Sequence, residues 1–221
     1  MHMAQTAQRS PVTTATTVKN SAFALFGRFG YDGVSMTAVA NECGITKAGL
    51  YWHYTSKQTL YADCMRALVG VFEHHLLSAA IEETDPVEQI FAVFSGLTAL
   101  VDDPRLADGV AGYWLRPATA DVVEARTAQE DFQALARDAI EDILARAAES
   151  GRLTVTVAIS DVARAFIALV EAIVLPMGNR QPADHRRMVG VLAHIFFKAY
   201  AQEPELAIRA ESLIATTASA G

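Results

Sequence analysis

"CGITKAGLYWHYTSKQTL", residues 43–60, carries a glycine, a run of ring-bearing side chains and a lysine toward either end. Tyr51, Trp52, His53 and Tyr54 are consecutive. Successive residues of a helix diverge by about 100°, so this run points around the whole cylinder and cannot be hidden on one face. Some of the aromatics must face outward. Exposed aromatics beside Lys47 and Lys57 predict a contact surface.

The flanking residues give that stretch its local structure. Ser35 is placed to cap a short helix, "MTAVANEC", with Val39 and Ala40 turned inward. Gly44 ends it in the left-handed conformation that glycine tolerates. Thr46 caps a following helix from Lys47 to about Tyr54, and Ser56 starts a long one with Leu60, Cys64, Leu68, Val71 and Phe72 on one stripe. Upstream, Val18, Ala22, Leu25, Phe26 and Phe29 recur at helical spacing, closed by Gly30 and Gly33. A short helix, a glycine turn and a second short helix over residues 35–54 make a helix-turn-helix, whose second helix enters the major groove of DNA. Gly44 makes the turn, and Ile45, Leu50 and Val39 hold the pair together. The capped end of the second helix offers free N–H groups and a positive dipole to phosphate. Ala48 and Gly49 allow close backbone approach.

"GYDGVSMTAVANECGITKAGLYWHYTSKQTLYADCM", residues 30–65, resembles the DNA-binding region of TetR-family (tetracycline-repressor-like) transcriptional regulators. The likeness spans roughly residues 12–72. It rests on Ser35, Ala40, Gly44, Ile45, Thr46, Lys47, Leu50, Tyr51, His53, Tyr54, Ser56, Lys57 and Leu60 in register. Ala38 stands where the family often has an acid, Ala48 where it usually has glycine, and Tyr54 where it usually has Phe. The resemblance implies that Thr37, Tyr51, His53 and Lys57 bind backbone phosphates. It also implies that Thr46, Lys47, Ala48, Gly49 and Trp52 lie closest to the bases, while Tyr54 turns into the core.

Charge is divided accordingly. Residues 1–60 hold five basic and two acidic side chains, and residues 61–221 hold 13 and 23, against a net −7 for the chain. That asymmetry suits a polyanion-binding end on an acidic body. The 52% hydrophobic and 19% charged composition over 221 residues predicts a well-buried core. The longest apolar run, "AFIALVEAIVL" (165–175), is interrupted by Glu171 and is too short for a membrane span. The N-terminus lacks the apolar core of a signal peptide, so a cytoplasmic protein is expected. Cys43 and Cys64 are expected as buried free thiols.

The rest reads as helix. Asp85-Pro86-Val87-Glu88 is an N-cap, a first-turn proline and a capping-box glutamate, and Asp103-Pro104 repeats the start signal. A long helix from Thr119 carries Phe132, Leu135, Ala139, Ile140, Ile143, Leu144 and Ala147 inward, up to Gly151. "RLTVTVAIS" is expected to be a connector leading to Ser160, the cap of a helix running to Pro176. A helix over 184–201 follows, and the tail holds at most a fraying turn. The expected fold is all-α: a helix-turn-helix domain over 12–60, joined by a long helix to a ligand-binding and dimerisation domain over 61–221. The helices 160–176 and 184–201 are apolar on more than one face, which suits a four-helix dimer interface.

Several residues admit two readings. His74-His75 diverge too far to chelate one ion, and a solvated face is expected. Asp102-Asp103 reads as capping before Pro104. Tyr113-Trp114-Leu115-Arg116 either line a pocket or fill the bundle. Glu171 either meets a partner arginine or a dimer interface, or anchors a ligand. The sequence holds no nucleophile elbow, phosphate-binding glycine loop or metal-spaced cluster, so no enzyme, cofactor or metal is expected. The expectation is a homodimeric repressor, released from a palindromic double-stranded DNA operator by a lipophilic or cationic small molecule. A ligand-free regulator or an activator is the alternative. Candidate cavity residues are Tyr113, Trp114, Arg116, Phe132, Phe166, Glu171 and Met177.

Overall fold

Capping groups set the first helices where the sequence places them. The computed structural model describes residues 11–115, 117, 122–176, 178 and 181–215. Helix α1 is Pro11–Phe29, α2 is Met36–Cys43 and α3 is Lys47–His53. Ser35 Oγ accepts from Ala38 N–H at 3.0 Å, which satisfies one of the orphan donors of α2. Gly44 takes φ 65°. Its N–H reaches Asn41 O at 3.1 Å while Ile45 N–H reaches Ala40 O at 3.0 Å, the paired bonds of a Schellman stop. Thr46 Oγ1 accepts from Gly49 N–H at 3.0 Å and caps α3. Val18, Ala22, Phe26, Val39, Ala40 and Leu50 close the core between these three helices. Phe29, expected inside, is instead half exposed, with the Arg28 guanidinium 5.1 Å over its ring. Phe23, six residues earlier, is buried.

Helix α4, Lys57–Phe72, starts at the Ser56 cap and buries Leu60, Cys64, Leu68, Val71 and Phe72, as the stripe predicts. It runs on through a π-helical turn, Glu73–Ser78, into the short α5, Ala79–Glu82. The body is completed by α6 (Pro86–Val101), α7 (Val123–Glu149), α8 (Ile159–Val174), α9 (Pro182–Tyr200) and α10 (Pro204–Ala215). Asp85 caps α6 by accepting from Val87 and Glu88 N–H. Glu88 does not close a capping box; Arg209 of α10 holds both of its carboxylate oxygens, at 2.6 and 2.7 Å.

Other boundaries move from their expected positions. Asp103 does cap a start, but only of a 3-10 turn, Pro104–Leu106. The expected start of α7 at Thr119 lies outside the described residues, and the helix itself begins at Val123. Leu135 faces solvent, because the buried stripe of α7 runs through Ile140, Ile143, Leu144 and Ala147. The cap of helix α8 falls two residues early, at Ala158 rather than Ser160, and the helix ends at Val174. The tail is a full helix on α9, not a fraying turn. Leu206, Ala207 and Ala210 are its buried face, and Arg209 lies 3.9 Å over the Phe91 ring. The 151–158 segment stays a connector, with a single backbone bridge between Leu153 and Ala201.

His75 is not solvated. Its Nε2 lies 2.9 Å from Asp103 Oδ2, and it shares that nearly buried carboxylate with Arg105. The Arg105 guanidinium, the His75 contact and the Arg105 N–H together overcome the desolvation of Asp103. They hold its carboxyl well below the usual carboxylate range.

Helix α4 is not the sole link between the first three helices and the body. The 3-10 turn Ala111–Trp114 packs its backbone against the end of α1. A Cβ on Gly112 would fall 2.1 Å from Phe26 O and 2.6 Å from Gly30 N, so only glycine permits this approach. Tyr113, fully buried, stacks on Tyr61 of α4 at 5.6 Å and donates its hydroxyl to Phe23 O at 3.0 Å.

Candidate nucleic-acid interface and body cavity

Helix α3 is short, and only Leu50 of it is buried. The remaining faces follow from the helical period. Ala48 and Trp52, four apart, share one exposed face; Lys47 and Tyr51 share the next, with the ammonium 5.9 Å from the ring centroid. Trp52 is 84% exposed, a value no packing argument explains for the largest apolar side chain. Thr37, at the start of α2, is exposed, and His53 is half-buried at the last turn of α3. Gly49 has open space around its Cα, with Thr46 Oγ1 the nearest group a Cβ would meet.

One aromatic of the run has structural work. Tyr54 ends α3 and donates its hydroxyl to Asp63 Oδ2 at 2.8 Å, which ties α3 to α4. Burial, then that bond, raises the Tyr54 pKa, so it stays a phenol. Burial opposes the charge on Asp63, but Tyr54 and the Lys19 ammonium outweigh it and hold its pKa low. Lys57 sits 4.0 Å over the Tyr31 ring at the first turn of α4. Partial burial lowers its pKa and Asp32 works against that. The sequence reading missed Asp63. An acid nine residues past Tyr54 carries no motif, and only the return of α4 beside α3 brings the two together.

In the body, α4, the π turn, α6, α7 and α8 surround a cavity with about 680 Å³ of empty space, the mouth included. Trp114, Phe132, Phe166 and Glu171 line it, as do Gln133 and Leu76. Tyr113, expected there, is instead locked against α1 and α4, and borders a neighbouring recess. Arg116 and Met177 lie outside the described residues. Glu171 meets no arginine among the described residues; its Oε1 accepts from Trp114 Nε1 and Gln133 Nε2, each at 3.3 Å. Gln133 follows Phe132 directly and shares a helix face with Ala136 and Ile140, a signal the apolar stripe alone does not contain. The described residues hold no group of acids, cysteines and histidines suited to a metal, and no helix long and apolar enough to cross a membrane.

Residues 20–64 match the sequence profile of "Bacterial regulatory proteins, tetR family". Over 47 residues the chain is 36% identical to the biofilm operon negative transcriptional regulator IcaR of Staphylococcus aureus. That stretch is 21% of this chain and 25% of IcaR, so the chain matches only a quarter of that relative's length. The whole fold has wider likeness. A TetR transcriptional regulator from Chloroflexus aurantiacus superposes with a TM-score of 0.70 at 18% identity, over 88% of this chain and 99% of that one. SmeT, solved in complex with triclosan, gives 0.67 at 20% identity, over 86% and 93%. The profile falls on α1 to α4 and the fold likeness extends through the body. Residues 20–64 therefore carry the tetR-family sequence profile, and the chain as a whole shares the fold of solved TetR regulators.

Proposed function

We propose that the protein is a homodimeric repressor that reads a near-palindromic operator and lets go of it when a small molecule enters the body. The observation that carries the reading is α3: a Thr46-capped helix that leaves Lys47, Ala48, Gly49, Tyr51 and Trp52 outward, with Trp52 almost fully exposed. Residues 12–60 act as the reading head and 61–221 as the ligand-binding and dimerisation body. Thr37, Tyr51, His53 and Lys57 grip phosphates; Thr46, Lys47, Ala48, Gly49 and Trp52 approach base edges. Such a role places the chain in the cytoplasm with the chromosome.

One recognition helix covers too few base pairs for adequate discrimination, which favours a two-fold dimer. A face is available for it. Ala165, Ala168, Leu169 and Ala172 are exposed on one stripe of α8, and Val191, Ile195 and Ala199 on α9. Packed against their mates, these small and branched side chains suit a four-helix interface. The cavity supports the effector step. It is walled partly by Phe72 at the end of α4 and by Trp114 at the end of the turn that touches α1, so a ligand there meets both supports of the head. Half-sites lie about 34–36 Å apart or a multiple of it, and a modest change in head separation breaks simultaneous contact. Full release, from 99:1 to 1:99, requires about 5.5 kcal/mol of preference for the non-binding state.

The test is selection from a randomised duplex pool, followed by titration at several salt concentrations. A palindromic consensus with strong salt dependence is expected. Lys57→Ala should weaken all sequences alike and lower the salt slope by about 1, whereas Trp52→Ala should relax preference at one or two positions per half-site. Sequence-independent binding would refute the proposal.

A further inference from the structure

The cavity lining is apolar apart from Glu171, contributed by α8, and Gln133, and it includes Phe72, Trp114, Phe132 and Phe166. The aromatic rings stand close together, with Phe72 5.9 Å from Trp114 and 5.8 Å from Phe132. Two neutral donors, Trp114 Nε1 and Gln133 Nε2, converge on the same oxygen, Oε1, each at 3.3 Å. That is longer than the usual 2.9–3.0 Å of N–H···O bonds. Oε2 takes no hydrogen bond from another described residue, and no Lys, Arg or His is among the described lining residues. Glu171 is part-buried, and its two hydrogen-bond partners among the described residues are neutral. A cation adds the charge-assisted bond that they do not supply.

We propose that the cavity takes a hydrophobic organic monoamine, its ammonium bound by Glu171 and its apolar body among Phe72, Leu97, Phe132 and Phe166. This rests on the reading of the cavity as the effector site and names the chemical class it accepts. An anion of the same skeleton meets like charge. A neutral alcohol can donate one bond to Oε2 but brings no charge. The aromatic faces add to the preference, since a cation within about 6 Å of an indole or phenyl centroid is attracted to it. Because Glu171 also holds Trp114, an ammonium on that carboxylate competes with the bond anchoring the 111–114 turn.

Three probes of one skeleton test this on the full chain without DNA: 4-phenylbutylamine, 4-phenylbutan-1-ol and 4-phenylbutanoate, by calorimetric titration at neutral pH. The amine should bind about tenfold or more tighter than the alcohol, and the carboxylate should bind least. Glu171→Gln should remove the amine's advantage over the alcohol when both are measured on that variant. Glu171→Asp, which keeps the charge on a shorter arm, should retain the order with weaker amine binding, and it serves if the Gln variant fails to fold. Equal binding of amine and alcohol to the wild-type chain, or an amine advantage that survives Glu171→Gln, overturns the assignment while leaving the cavity a ligand site. Failure of all three probes to bind overturns it as well. Operator binding does not enter the measurement, so its failure is read separately.

Discussion

Gly49→Ala should raise the stability of the free protein and lower its affinity for DNA. Glycine in a helix costs about 0.8–1.0 kcal/mol relative to alanine. The new methyl would meet only Thr46 Oγ1, at 3.3 Å, and that oxygen also accepts the residue-49 N–H at 3.0 Å. Some of the capping bond is therefore given up as Thr46 shifts by a few tenths of an ångström. The net gain should be about 0.5 kcal/mol, or roughly 1–2 °C in melting temperature for a chain of this size. Bound to DNA the sign reverses, because the methyl stands where the backbone of α3 is proposed to approach the duplex. Scanning calorimetry of the free protein and fluorescence anisotropy on the selected operator measure the two effects. A lower melting temperature would refute the packing argument. A higher one with unchanged operator affinity would refute the close approach of Gly49 to DNA.

Gly112→Ala should cost about 3 kcal/mol, the upper end for overpacking, since the atoms it meets are backbone and cannot rotate away. Thermal unfolding should register this as a fall of roughly 6–12 °C. Asp103→Asn should destabilise the protein at neutral pH by about 1–3 kcal/mol through loss of charge-assisted bonds from Arg105 and His75. The folded pKa of Asp103 is depressed, so its contribution is fully present above the ordinary carboxylate pKa and is lost as pH falls through the folded value. Urea midpoints of the two proteins should therefore converge in acid below about pH 4; a gap constant with pH would count against the charge.

The reading head was legible because its cues are local. Ser35, Gly44, Thr46 and Ser56 act within four residues of their own position, so sequence spacing carries the whole signal. The body was legible only where a single helix decides, as in the α4 stripe. Leu135 and Phe29 fit their helical periods yet face out, because the period gives a stripe but not its centre, and neighbouring helices choose that. The tail helix depends on Arg209, whose partners Glu88 and Phe91 lie in α6. The cavity shows the same limit. Trp114, Phe132, Phe166 and Glu171 come from separate elements, and whether Glu171 meets an arginine, a subunit or a void is fixed by packing alone.

The contact made possible by Gly112 has a mechanical meaning. A body held to a frame at one point can swing in any direction, whereas one held at two can only turn about the line between them. The first three helices are fixed to the rest of the chain through α4, clasped by Tyr54 and Asp63, and through the 111–114 turn, clasped by Gly112 and Tyr113. If these two clasps hold, the line through them is the axis about which the first three helices turn most easily, and only a push that lands off that line would turn them.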